Sequence, residues 1–463
     1  MKKIIALLLA SVMVLCLFAG CKGSNTDTTT APKDNSDTTT APKDNTDTTT
    51  APNGNATEPA ASGSGSVYYL NFKPEADAAW QALAATYTQQ TGVPVKVVTA
   101  ASGTYSDTLT AEMGKEAAPT LFQCGNKQGL IDWDAYCLDL TGTDVVAEMT
   151  TDDFNLYNDN GELKAIGYCY ECYGIIVNTA LLAQANHSLD EIKDFASLKA
   201  VAEDIHANAA TLGFDAFTSA GLDSSSSWRF SGHLANMPLF YECRDNGVTE
   251  QPATLTGAYM DNFKNIWDLY INNSATAPAD LTTATGDQAQ AEFGQGKAVF
   301  YQNGSWEFDG LVSNYGLNPD DLTMIPIYCG VAGEEKAGLC AGTENCWAVN
   351  AKASQADIDA TLAFMKWVVT SEEGTTMMAE QFGPIPFKSA KTPANKFFAA
   401  ANDYTAAGNY VVTWAFNWTP NVDDWRAGVV SALAAYSAGT GSWDDVVTAF
   451  VAGWAYQYSV QNG

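Results

Sequence analysis

Few residues in this chain are spaced for reaction chemistry. The three histidines, His187, His206 and His233, form no pair at ligand spacing, so no metal site is expected. Cys169-x-x-Cys172 has the spacing of a redox pair. Its surroundings, Gly167-Tyr-Cys-Tyr-Glu-Cys-Tyr-Gly-Ile-Ile-Val-Asn, read as extended chain entering a strand, whereas a redox motif of this spacing opens a helix. Adjacent carboxylates occur at Asp152-Asp153, Asp320-Asp321 and Asp423-Asp424. Glycoside hydrolysis needs two such groups about 5 or 6.5–9.5 Å apart, and sequence neighbours often point apart. Ser224 to Ser227 lack the Gly-x-Ser-x-Gly context of a nucleophile. What the composition offers instead is binding: 12 Trp, 20 Tyr and 20 Phe among 463 residues.

The most informative segment is residues 293–306, Phe-Gly-Gln-Gly-Lys-Ala-Val-Phe-Tyr-Gln-Asn-Gly-Ser-Trp. It reads as a short helix broken by Gly294 and Gly296, a strand from Lys297, a tight turn at Asn303-Gly304, then a new helix. Ser305 is the expected N-cap. Trp306 would sit at the mouth of that helix, beside unpaired N–H donors that suit a hydroxyl-rich ligand. Taken alone, the segment reads first as an ordinary core tryptophan after a hairpin-like turn.

The segment resembles the Gly-Lys-Ala…Gly-x-Trp signature of the extracellular solute-binding proteins of carbohydrate ABC importers, whose tryptophan stacks on a sugar ring. Residues 167–178 are similar to the first hinge crossing of the maltodextrin-binding branch, with Glu171 seven residues before Asn178. A carboxylate there can accept two hydrogen bonds from vicinal hydroxyls, or form a structural salt bridge. Tyr168 and Tyr170 add hydroxyls and ring faces. The resemblance also points to Trp228, at the end of the serine loop, and to Trp425, at the start of the penultimate helix. Trp414 and Trp418 are secondary candidates. The alternative for Trp228 is an anchor packing the start of a helix. Ser371-Glu-Glu-Gly374 followed by Gly383-Pro384 matches a further family pattern. The family implies two α/β lobes in a type II periplasmic-binding-protein-like fold, with a central ligand cleft, no cofactor and no enzymatic activity. Its implied partners are a carbohydrate and the permease subunits of the importer.

The N-terminus places the protein outside the cell. Lys2 and Lys3 precede an apolar run over residues 4–18, too short for a confident membrane span. Phe18-Ala19-Gly20-Cys21 resembles a lipobox, making residues 1–20 a signal peptide and Cys21 the lipid-bearing anchor, although Phe18 departs from the usual aliphatic residue. Residues 22–66 repeat Asp-Thr-Thr-Thr-Ala-Pro with a ten-residue period from Asp27, lack the apolar residues needed to bury a core, and read as a disordered leash reaching about 40 Å.

Residues 67–463 are the binding domain. Lobe 1 is expected over about 67–170 and 329–383, and lobe 2 over about 175–325 and 388–463, with crossings near 170–176, 324–330 and 383–388. Strand 67–72, helix 76–90, strand 94–99 and strand 119–123 alternate, which implies parallel pairing. Ligands of such sheets lie beyond the carboxyl ends of strands, which singles out Lys73, Glu75, Gln123 and Asn126. A net charge of −30 argues against nucleic acid and anionic lipid. A monomer is expected. The competing functions are a receptor for a cationic solute such as a polyamine, which would also use acidic and aromatic residues, and a cell-surface glycoside hydrolase.

Overall fold

The computed structural model describes residues 65–462 except Thr249. The expected signal peptide, Cys21 and the leash up to residue 64 lie outside the described residues. Strands β1 (Val67–Asn71), β2 (Val95–Thr99), β3 (Leu121–Gln123), β4 (Leu156–Tyr157) and β5 (Leu163–Gly167) belong to one sheet. Strands β6 (Glu171–Asn178), β7 (Asp215–Phe217), β8 (Ala298–Gly304), β9 (Leu322–Ile325) and β10 (Ala337–Gly342) build a second. The chain then returns to the first sheet as β11 (Cys346–Val349) and to the second as β12 (Tyr410–Thr413). The sheet orders are β2-β1-β3-β11-β5-β4 and β12-β10-β6-β8-β7, with β9 also on β6.

As expected, β1 pairs in parallel with β2 and with β3. The helix Asp77–Thr91 buries Trp80, Leu83, Ala84 and Tyr87 on one stripe and stops at Gly92, whose φ of 73° suits a residue without a side chain. Trp80 packs on Trp347 and Phe382, so this helix joins the core that Gln355–Thr370 covers from the other chain segment. Ser354 and Ser371 cap the helices Gln355–Thr370 and Glu372–Gln381. In the second sheet β6 is buried at every position. At Gly174 a Cβ would lie 2.4 Å from the Ile325 carbonyl oxygen, so only glycine lets β9 approach that closely.

The crossings differ from the sequence expectation. The first spans 168–170, because Glu171 already pairs with Gly342 in the second sheet. The return lies at 343–345, not 324–330. Instead of leaving, β9 pairs with β6, and Glu334 then folds the chain back by accepting the N–H groups of Cys329, Gly330 and Val331. Residues 337–342, Ala-Gly-Leu-Cys-Ala-Gly, form strand β10 without a β-branched residue; pairing on both sides with β6 and β12 decides them. The third passage follows residue 388. Thr150 N–H still donates to the Pro386 carbonyl and Lys388 N–H to the Glu148 carbonyl in the first lobe, whereas Asn395 Nδ2 donates to the Ser305 carbonyl in the second.

The Cys-x-x-Cys spacing also resolves into separate roles. Cys169 is buried in the first-lobe core and Cys172 in a second-lobe cluster. Burial pushes both thiols up, Cys172 to about 12, so neither is a ready thiolate. Among the described residues all eight cysteines are buried and unbridged.

Candidate ligand cleft

Trp306 is held by its own strand. β8 runs through Gly304, and Ser305 continues its pairing by donating to the Cys172 carbonyl (2.8 Å) and accepting from the Cys172 N–H (3.3 Å). Asn303-Gly304 is therefore strand and not a turn. The Ser305 side chain is used in the sheet, so Trp306 stands at the N-cap of Glu307–Ser313 without a side-chain cap. The indole folds back over Gly304, where a Cβ would come within 2.2 Å of the ring, and donates from Nε1 to Asn303 Oδ1 at 2.9 Å. The Gly-x-Trp pattern thus has a steric cause: the glycine leaves room for the ring.

Other rings gather at the same edge of the second sheet. Trp228 lies 6.0 Å from Trp306 between centroids, and His233 lies 5.5 Å from it. His233 stacks on Tyr173 at 3.9 Å, and Tyr173 leads to Trp414 at 5.6 Å and Trp414 to Phe416 at 5.4 Å. Trp414 leans over Gly342, where a Cβ would fall 2.6 Å from its ring, repeating the device at Gly304. Burial, reinforced by Arg426, Arg229 and Lys73, drives the His233 imidazolium well below its ordinary range. Its Nδ1 accepts from Gln302 Nε2 at 3.2 Å, in keeping with a neutral ring that acts as an aromatic face. Trp228 and His233 flank or lie on the π-helical turn Arg229–Leu234, which replaces the regular helix expected from residue 229.

Facing these rings are polar residues of the first lobe and hinge. Lys73 Nζ bonds Glu171 Oε1 at 2.5 Å and Glu75 at 3.3 Å, and sits 5.3 Å from the Trp306 ring centre. Burial would lower the Lys73 ammonium, but Glu171 and then Glu75 hold it above its usual value. Asn345 Nδ2 takes the other Glu171 oxygen at 2.8 Å; Tyr168 donates to Asn345 Oδ1 at 3.2 Å and accepts from Gln123 Nε2 at 2.9 Å. Both Glu171 oxygens are thus engaged within the protein, so the salt-bridge alternative describes this residue. Tyr168 is likewise a relay, buried flat against Trp347 at 4.2 Å. Asn126 Oδ1 caps the helix Lys127–Trp133 by accepting from Gly129 N–H at 2.9 Å, and that helix lies against the 415–418 turn of the opposite lobe.

Two sequence candidates do not join this group. Trp425 is buried in the second-lobe core, its Nε1 donating to the Phe450 carbonyl at 2.9 Å and its ring set edgewise on Phe450 and Trp454. The next residue, about 100° further round the helix Val422–Ser437, is the one beside the rings: the Arg426 guanidinium lies 5.6 Å over Phe416. Trp418 packs on the same core, and its carbonyl accepts from Gln251. Sequence reading missed His233, Tyr173, Phe416, Arg426 and Glu344. The Glu344 carboxyl, at the hinge, is raised by burial and drawn back by Arg426. The aromatic-flanked Trp414-Ala-Phe416 run was the one signal available for Phe416.

This contrast gives a prediction. Trp425→Ala should cost about 3–5 kcal/mol of stability by opening a core cavity, read as a lower denaturation midpoint, with ligand affinity of the folded protein unchanged. Arg426→Ala should do the reverse, shifting affinity while the midpoint holds.

A row of rings opposite a set of polar residues, with the chain passing three times between the sheets that carry them, defines a two-lobed fold of the binding-protein type. Residues 82–406 match the profile of the bacterial extracellular solute-binding proteins, and the chain belongs to that family of binding proteins. Its type II fold recurs in solved structures. One is RafE in complex with raffinose (15% identity, 83% of this chain and 98% of that one, TM-score 0.67); RafE was also solved in apo form from Streptococcus pneumoniae. Another is a protein described for xylan utilization by the thermophile Caldanaerobius polysaccharolyticus (18%, 84% and 99%, TM-score 0.66). A third is a sugar transporter protein of Bacillus licheniformis in complex with stachyose (17%, 84% and 100%, TM-score 0.61). A comparison with curated proteins gave no significant sequence match. Among the described residues no helix is long and apolar enough to cross a membrane.

Proposed function

We propose that the protein captures a carbohydrate, an oligosaccharide in preference to a monosaccharide, in the cleft between its lobes and hands it unaltered to the permease subunits of an ABC importer. The observation that carries this reading is the pair of half-buried rings Trp228 and Trp306, backed by the buried rings of His233, Tyr173 and Trp414 and set opposite Lys73, Glu75 and the hinge. A sugar ring presents an apolar C–H face and a rim of hydroxyls. Rings cover the face, contributing on the order of 1 kcal/mol each beyond the area buried, and the polar wall satisfies the rim. Lobe closure contacts the ligand from both sides, so the ligand favours the closed state. The sugar-bound structures of similar fold support the ligand class. A lipid on Cys21 would hold the domain at the outer face of the membrane, on the leash of residues 22–66.

Thermal shift and calorimetry with raffinose, stachyose, xylo- and chito-oligosaccharides, and spermidine test this. Stabilisation by at least one neutral oligosaccharide, with no product released, is the expected result; a response to spermidine alone would overturn it. Cys21→Ala should release the protein into the medium and abolish its labelling with palmitate.

A further inference from the structure

Behind Trp306 runs a chain of hydrogen bonds that ends in a carboxylate. Asn303 Oδ1 accepts from both the Trp306 indole (2.9 Å) and the Gly304 N–H (3.0 Å), so the amide must keep its oxygen toward the ring. The opposite side of the amide, Nδ2, donates to Glu307 Oε1 (2.9 Å) and to the Tyr301 hydroxyl (2.6 Å). Glu307 Oε2 accepts from Gln290 Nε2 at 2.8 Å, which anchors the carboxylate to the neighbouring helix Gly286–Gly294. Neither Glu307 nor Asn303 has another established task, and Asn303 is almost fully buried.

We infer that Glu307 is a positioning residue for Trp306: its ionised carboxylate fixes the Asn303 amide, and through it the indole, so the cleft's grip follows the protonation of this one group. This rests on the reading of Trp306 as the ligand platform. The groups facing Glu307 are Arg229 from the π-helical turn, Tyr301 on β8, Gln290 on its helix, and Glu75 from the first lobe. Burial raises the carboxyl to about 7; Gln290, Arg229 and Tyr301 pull it down and Glu75 adds to the rise. A protonated Glu307 turns one oxygen into a donor. With the proton on Oε1, the Asn303 Nδ2 meets a donor where it had an acceptor, the carboxylate no longer holds the amide, and the ring's anchor loosens.

The sign follows. Above the folded carboxyl's value the relay is intact; as pH falls through it the competent fraction shrinks, and apparent affinity with it. For a group titrating near neutrality, affinity should weaken about tenfold from pH 8 to pH 6. Two readouts test this on the intact binding domain. The first is the indole N–H signal of Trp306 in protein labelled with 15N-tryptophan, assigned by its absence in Trp306→Phe. It should shift between pH 6 and 8 without ligand, and stay still in Glu307→Gln. The second is calorimetry with the oligosaccharide found by the panel, whose affinity should fall with pH in the native protein. In Glu307→Gln it should stay at the weaker value throughout. Asn303→Leu cuts the same relay and should also remove the pH dependence. An indole signal that does not titrate, or titrates equally in Glu307→Gln and Asn303→Leu, overturns the inference whatever binds. A titrating indole with no sugar bound at any pH upholds the coupling and sinks the functional reading alone.

Discussion

Trp306→Ala is expected to weaken oligosaccharide binding by roughly 30- to 150-fold, a loss of about 2–3 kcal/mol made of the buried ring area and its stacking. The ring is only partly covered by its own lobe, against Trp228 and His233, so the free protein should lose little stability. Asn303 Oδ1 keeps the Gly304 N–H after the change, which avoids leaving a buried acceptor empty. Calorimetry against the preferred sugar measures the loss, and chemical denaturation checks the fold. Affinity within threefold of the native value would show that this ring is not the platform. The glycine beneath it belongs to the same argument: a methyl at residue 304 would occupy the space of the indole.

Glu171→Gln should destabilise the protein by about 3–5 kcal/mol, because it strands the buried Lys73 ammonium with only the more exposed Glu75 for a partner. Lys73→Met should cost a similar amount by leaving the Glu171 carboxylate with Asn345 alone. Both side chains are over nine-tenths covered, so the pair is not a surface bridge of negligible value. The double variant Lys73→Met with Glu171→Leu should recover much of either loss, since no charge then stays buried unpaired. A denaturation cycle over the four proteins isolates the coupling. Single changes each under 1 kcal/mol, adding simply in the double variant, would mean that the pair does not hold the hinge. Because Lys73 follows β1 while Glu171 opens β6, the bond ties the first lobe to the start of the second.

What the sequence determined is what local periodicity and sterics encode. The stripe of Trp80, Leu83, Ala84 and Tyr87 gave the first helix, alternation gave parallel β1, β2 and β3, and the Gly-x-Trp pattern marked Trp306, because a ring lying on backbone demands glycine. Only the tertiary structure decided the rest. The direction of Trp425 depends on where its helix sits around its axis, and one residue's rotation sends it into the core and Arg426 toward the rings. Glu171 could have met a ligand or a lysine, and the answer came from Lys73, 98 positions away in the chain. The crossing at 343–345 was hidden because β10 carries no strand preference of its own and is made by its neighbours. His233 and Glu307 gained their roles the same way: what a titratable group does is set by what surrounds it, and those surroundings arrive from distant segments only when the lobes fold.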